Sequence, residues 1–278
     1  MLIEKNLNYE GHFIYYRVSG NGIPVVFIHG FGEDGEIWNN QVQFLQDRFA
    51  LIVPDLPGSG RSEMIEDMSM EALAEVIRNI IDAELPEAPE AGSYVSHRNN
   101  PVVIGHSMGG YVALAFADKY SENLKGLGLF HSTAYPDTEE KKATRRKGIQ
   151  FIKEHGAFEF LKTANYNLFS QLSKDKMPKL IDEFIDSLRN FSAEALVSYY
   201  EAMIKRPDRT ATLKKLQIPM LFIAGKHDTA IPLNDVLEQC HLPEISYFHI
   251  LAESGHLGMI EETEKSNKIL NDYLINLS

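Results

Sequence analysis

The sequence predicts an α/β fold: a mostly parallel sheet of eight strands flanked by helices, with one helical insertion. Three observations carry this expectation. Short β-branched runs alternate with helical patterns from about residue 25 onward, the pattern of a sheet covered on both faces. Gly105-His106-Ser107-Met108-Gly109 stands directly between a strand run and a helix run. Residues 134–207 carry helical spacing throughout and no strand run.

The elements follow in order. Residues 7–18 read as an antiparallel hairpin turning at Glu10-Gly11. Residues 25–28 are a strand ending at His29-Gly30, residues 38–45 a helix, and residues 50–53 a strand leading to Asp55. Residues 70–85 place Leu73, Val76, Ile77, Ile80 and Ile81 at the spacing of one buried helix face. The stretch 85–100, with Pro86, Pro89 and Gly92, is long for a helix-to-strand connection. It is expected as a surface loop or oligomer contact away from the site, so His97 receives no chemical role. Strands are expected at 102–104, 124–130, 220–224 and 247–251, with helices at 111–117, 236–240 and 262–277. The insertion repeats apolar residues such as Phe151, Phe158, Leu161, Phe169 and Phe184. It leaves after one sheet strand and returns before another, which places it over the carboxyl ends of the strands as a lid. The expected division is a core of residues 1–133 and 208–278 and a cap of residues 134–207.

Composition narrows the function. The chain has 278 residues, enough for one large α/β domain with an insertion. Cys240 is the one cysteine, so no intrachain disulfide forms; it reads as a packing residue in the helix at 236–240. A single cysteine fits a reducing compartment. Residues 1–6 are mixed and charged rather than a secretory pattern, so a cytoplasmic location is expected. No run approaches the roughly 20 apolar residues of a membrane span. A net charge of −12 repels phosphate backbones and argues against nucleic acid. The basic cluster Lys141-Lys142 with Arg145-Arg146-Lys147 follows Glu139-Glu140 and reads as a solvated, charge-paired helix face. A monomer or homodimer is expected.

The chemistry centres on Ser107. A strand turning straight into a helix holds this residue on a sharp corner, with glycines at 105 and 109 giving the turn room. A helix N-terminus behind it favours developing negative charge. A serine hydroxyl is a weak nucleophile and needs a base and a group that orients the base. The strand at 220–224 runs into Gly225-Lys226-His227-Asp228, and the strand at 247–251 into Ala252-Glu253-Ser254-Gly255-His256. Both strand ends should face the crevice that holds Ser107.

With His29-Gly30-Phe31 after the third strand and Asp55-Leu56-Pro57-Gly58-Ser59-Gly60-Arg61-Ser62 after the fourth, these motifs resemble the α/β-hydrolase fold superfamily, specifically its capped, esterase-like members. The resemblance runs from about residue 9 to the end. It implies Ser107 as nucleophile, His256 as general base and then acid, and Asp228 as the orienting carboxylate. It implies an oxyanion hole made by the backbone N–H groups of Phe31 and Met108. Asp137 is a rival for the acid, because some members take it from the strand after the elbow helix. Asp55 reads as a loop organiser.

The other histidines receive structural readings. His106 should point away from Ser107 and pack; His29 should hydrogen-bond within its loop and steady Phe31; His227 should face elsewhere. His12, His131, His155, His241 and His249 have no partner pattern. No H-E-x-x-H or Cys/His ligand set is present, and Gly58-Ser59-Gly60 lacks the dinucleotide pattern, so neither a metal nor any other cofactor is expected. The expected reaction is hydrolysis of a small carboxylic ester or related acyl compound through an acyl-enzyme. The expected pocket is apolar, built from Phe31, Met108, Ile231 and Leu257 with Phe158 and Phe169 of the cap, favouring neutral acyl groups over charged ones. Carbon–carbon bond hydrolysis, acyl transfer or perhydrolysis, and a low-turnover ligand receptor are the alternatives on the same fold.

Overall fold

A computed structural model describes residues 2–85 and 100–277. The expected loop at 85–100, with His97, falls almost wholly outside the described residues.

Eight strands form one sheet: β1 Ile3–Tyr9, β2 His12–Ser19, β3 Ile23–Ile28, β4 Phe49–Pro54, β5 Val102–His106, β6 Gly126–Phe130, β7 Met220–Gly225 and β8 Ser246–Leu251. Their order is β1-β2-β4-β3-β5-β6-β7-β8. β2 runs antiparallel to both β1 and β4, and every other neighbouring pair is parallel. The strand order reverses around β3: the chain steps outward to β4 and returns on the other side to β5. A crevice opens at such a reversal above the carboxyl ends of the strands, where ligands of open α/β sheets bind.

The α-helices in chain order are α1 Asn39–Leu45, α2 Met70–Glu84, α3 Met108–Tyr120, α4 Glu139–His155, α5 Ala157–Leu168, α6 Gln171–Lys176, α7 Pro178–Ser187, α8 Ala193–Lys205, α9 Thr210–Lys215, α10 Leu233–Leu237, α11 Gly258–Glu261 and α12 Thr263–Asn276. Alternation along the strands divides the core. Val26, Ile28 and Ile52 face α2 and α3, whereas Val25, Phe27, Leu51 and Val53 face Trp38 and α12. α2 begins at Ser69, whose hydroxyl accepts from the Ala72 N–H, and it buries the apolar stripe expected of it. Helices α4–α8 all lie between β6 and β7 in sequence, and a third apolar cluster, including Ile152, Leu161 and Leu196, joins α4, α5 and α8, with Phe184 of α7 packed against it.

Several element boundaries differ from expectation, β1 beginning at Ile3, β3 at Ile23 and α3 at Met108 among them, and two carry contacts of note. The strand expected from 124 begins at Gly126, because Lys125 already donates its N–H to Pro101 O at 2.9 Å on the approach to the sheet. The helix expected over 236–240 ends at Leu237, leaving Cys240 in the following turn. Gln239 draws the chain inward there: its Oε1 accepts from the Ala134 N–H at 2.7 Å, and its Nε2 donates to Thr133 Oγ1 at 2.7 Å.

Candidate active site

The turn from β5 into α3 presents Ser107. Its φ is +50°, the left-handed region that a non-glycine residue rarely occupies, and its N–H donates to Phe130 O at 3.0 Å. A Cβ at position 105 would lie 2.2 Å from Gly109 O, and one at 109 would lie 2.4 Å from Ile28 O. Both glycines therefore let strand, turn and helix approach closer than any side chain permits.

The ends of β7 and β8 bring two more groups to this corner. Ser107 Oγ lies 2.8 Å from His256 Nε2, and His256 Nδ1 lies 2.8 Å from Asp228 Oδ2. A carboxylate only accepts, so Nδ1 carries the hydrogen and Nε2 is left to accept from the hydroxyl. Asp228 Oδ1 accepts from the N–H groups of Ala230 at 2.9 Å and Ile231 at 2.8 Å. Burial would raise the Asp228 pKa, but His256 and His131 outweigh it and hold the carboxyl well below the usual range. For His256, burial disfavours the cation, yet the Asp228 carboxylate outweighs burial and the net shift is upward.

His131 has more than a packing role. At the end of β6, with φ of +50°, it is fully buried with Nδ1 2.9 Å from the same Asp228 Oδ2. His131, Asp228 and His256 are the one group of His, Cys, Asp and Glu among the described residues whose atoms cluster closely enough to hold a metal ion. Their mutual hydrogen bonds account for that closeness without an ion.

His106 is likewise more than packing. Its Nδ1 lies 2.9 Å from Glu33 Oε2, and its Nε2 lies 2.9 Å from His256 O. Glu33 Oε2 also accepts from the Gly30 N–H at 2.7 Å. Burial pushes the Glu33 carboxyl up, but His106 and the Gly30 N–H pull it below its ordinary range. A chain of polar contacts thus runs from the loop after β3, through the ring beneath the serine, to the backbone of His256. His29 fixes the same loop: Nδ1 meets Gly30 O at 2.8 Å, and Nε2 accepts from the Leu56 N–H at 2.9 Å. Asp55 organises its own loop by accepting from Gly35 and Arg61 N–H groups, each at 2.9 Å.

Glu261 holds the other side. Oε1 accepts from Gly255 N–H at 2.9 Å and Leu257 N–H at 3.0 Å, while Oε2 accepts from Ser170 N–H at 2.8 Å and Ser173 Oγ–H at 2.7 Å. The His256 N–H itself donates to Leu168 O at 2.8 Å, so the histidine loop is fastened to the end of α5. Asp137, the rival acid, is turned away. It is paired with Arg145 at 2.5 Å and Arg206 at 2.9 Å.

A cavity of about 140 Å³ adjoins Ser107 and His256. Phe31 and Ile231 line it as expected, with Phe31 stacked on Tyr200 of α8 at 4.3 Å between ring centroids. Met108, Leu257, Phe158 and Phe169 do not line it. The Met108 and Leu257 side chains are wholly buried in the two core clusters. α5 reaches the cavity with its last turn, through Ala164, Asn165 and Leu168; Phe158 lies about two turns earlier, under the Arg189 guanidinium. Phe169 follows the helix and packs edge-on against Phe184. The lining is also more polar than expected, with Glu33, Tyr111, Arg145, Asn165 and Tyr200 on it. Arg145 was expected on the solvated face of its helix; instead it points inward to Asp137. Sequence reasoning missed Glu33, Glu261 and the Asp228 contact of His131. An acidic residue just after His29-Gly30-Phe31 and another five positions after His256 were the available signals.

A larger groove of about 370 Å³ lies beside Glu33, lined by Asp34, Glu36, Leu180, Phe184 and Ile260 among others. Ser107 and His256 are absent from its lining.

Residues 25–266 match the alpha/beta hydrolase family. The chain is 25% identical over 270 residues to 3-oxoadipate enol-lactonase 1 of Acinetobacter baylyi, covering 96% of this chain and 95% of that protein. It is 23% identical to the 2-hydroxy-6-oxo-6-phenylhexa-2,4-dienoate hydrolase of Comamonas testosteroni, covering 98% of this chain and 93% of that protein. Its structure resembles that of a thermophilic esterase from Thermogutta terrifontis with malate bound, with a TM-score of 0.88 and 28% identity over 99% of both chains.

Proposed function

Because the chain belongs to the alpha/beta hydrolase family and its relatives are hydrolases, we propose that it is a serine esterase, cleaving small carboxylic esters through Ser107, His256 and Asp228. The observation that carries this reading is the unbroken hydrogen-bond path from Ser107 Oγ to His256 and on to Asp228, opening on a cavity. His256 takes the hydroxyl proton at Nε2 as Ser107 Oγ bonds to the ester carbonyl carbon. The carbonyl oxygen gains the negative charge and receives hydrogen bonds from the Phe31 and Met108 backbone N–H groups; each such donor contributes about 10²–10³ in rate. Collapse expels the alcohol, which leaves with the proton from His256, and the acyl group stays on Ser107. Water, deprotonated by His256, attacks that ester, and the acid departs as the proton returns to Ser107. Throughout, Asp228 keeps the hydrogen on Nδ1 and stabilises the transient imidazolium.

Helices α4–α8 act as a cap over this cavity. The similarity to an enol-lactonase and to an esterase supports ester chemistry, since a lactone is a cyclic ester. The similarity to a phenylhexadienoate hydrolase supports a second reading, cleavage of a carbon–carbon bond by the same three residues. We expect Ser107→Ala to abolish both fluorophosphonate labelling and turnover of 4-nitrophenyl esters while the circular dichroism spectrum stays that of the parent. Persistent labelling in the variant removes the nucleophile assignment. Turnover of a vinylogous diketone with inert esters selects the second reading.

A further inference from the structure

The basic cluster of α4 does not all face water. Arg145 sits on the cavity that holds Ser107 and His256, and its side chain keeps only 19% of its exposure. Its Nε and Nη2 donate to the two oxygens of Asp137, at 2.5 and 3.2 Å. That carboxylate is already shared: Arg206 Nη1 reaches Asp137 Oδ1 at 2.9 Å from the other side. Arg206 is otherwise occupied, donating to Met203 O and Tyr135 O and lying 3.8 Å over the Tyr111 ring. Two guanidinium groups on one carboxylate leave a net positive charge in a desolvated place. Of the two, only Arg145 lines the cavity.

No carboxylate on the lining is paired with Arg145. Tyr200, over whose ring the Arg145 guanidinium lies at 5.3 Å, has its phenol pushed up by burial to about 12 and stays neutral. Glu33 is the one carboxylate on the lining, and its Oε2 is already engaged by the Gly30 N–H and His106 Nδ1 rather than by Arg145. Nη1 is the Arg145 nitrogen left outside the Asp137 pair. A buried cation with half a counter-ion is costly unless an anion completes it. A guanidinium in this setting binds a carboxylate with charge-assisted hydrogen bonds.

We infer that Arg145 is an anion subsite of the cavity, and that the ester turned over here carries a carboxylate a few bonds from its scissile carbonyl. This rests on the esterase reading of Ser107 and extends it from a neutral to an anionic substrate class. Arg145 is then a specificity residue, acting on substrate binding rather than on proton transfer.

The test compares mono-4-nitrophenyl glutarate with 4-nitrophenyl pentanoate, which match in chain length and differ by the carboxylate, with spontaneous hydrolysis subtracted. A second pair, 4-acetoxybenzoate and phenyl acetate, places the charge on the leaving group. In Arg145→Met the anionic-to-neutral ratio of kcat/KM should fall tenfold or more in at least one pair, mainly through KM, with partial recovery in Arg145→Lys. Arg206 remains on Asp137 in both variants. In the unaltered protein, glutarate monoamide should protect Ser107 from fluorophosphonate at a concentration at least tenfold below that of the neutral diamide, a readout that needs no variant to fold. A ratio unchanged within twofold in both pairs, or equal protection by monoamide and diamide, overturns the subsite. A protein that neither labels nor turns over any ester overturns the esterase reading, and the subsite with it.

Discussion

Asp228 Oδ2 serves two imidazoles, and this arrangement sets the pH behaviour of the site. In the mechanism proposed above, His256 must be neutral to accept the serine proton. Its pKa is raised above the ordinary 6.5 because the carboxylate outweighs burial, so kcat/KM should climb with pH along a limb centred above that value. Asp228→Asn removes the attraction and leaves the burial, so the limb should move to lower pH. Plateau turnover should fall by up to about 10⁴ as the tautomer is released. A pH–rate profile of the variant with an unmoved limb sinks the assignment of Asp228. At this scale the sequence was legible where a residue type is chemically obligatory. Ser107, Asp228 and His256, which the structure links by hydrogen bonds, could be picked out because the proposed nucleophile, acid and base stand in a fixed chain order at strand ends. His131 and Arg145 could not, because nothing local says that a histidine after β6 meets Asp228, or that one arginine in a basic run turns inward.

The β5–turn–α3 element is where backbone geometry controls chemistry. A Cβ at position 109 would meet the backbone oxygens of Ile28 and His29, at 2.4 and 2.5 Å, and neither can swing aside as a side chain does. Gly109→Ala should therefore cost about 1–3 kcal/mol of stability, the usual range for overpacking. If the esterase reading holds, it should also lower turnover by displacing Ser107 relative to the proposed oxyanion donor, the Phe31 N–H. Chemical denaturation and steady-state rates on the same preparation check this; a variant of parental stability and activity contradicts the close approach. Strands were readable because a buried parallel strand is a continuous β-branched run, as in Val102-Val103-Ile104. The facing of the helices between β6 and β7 was not, since α4 buries only Ile152 outright and is polar nearly all round. Phe158 and Phe169 looked like pocket residues because size and hydrophobicity mark a buried side chain without marking what it is buried against.

Across the molecule, buried carboxylates tie stability to pH. Burial would raise Asp137, but Arg145 and Arg206 outweigh it; Asp228 is lowered against burial by His256 and His131. Both therefore titrate lower in the folded chain than in the unfolded one. Their stabilisation is present above the ordinary aspartate range and is lost as pH falls below about 4. The urea midpoint should drop steeply from pH 5 to pH 3, and Asp137→Asn should start lower but show a shallower dependence. An equal slope in the two proteins removes Asp137 as a contributor. The helical segment between β6 and β7 is bolted to the core at two distant places. One is the His256 N–H bond to Leu168 O; the other is Tyr199, whose hydroxyl reaches Pro57 O at 2.5 Å and Ser59 Oγ at 2.9 Å. A segment fastened at both sides is a roof rather than a door. If the segment is the cap proposed above, guests should be sorted at the threshold, by girth, before any bond is tested. An ester too large for the cavity should then neither react nor slow the turnover of those that fit, and competitive inhibition by such an ester would contradict a fixed roof.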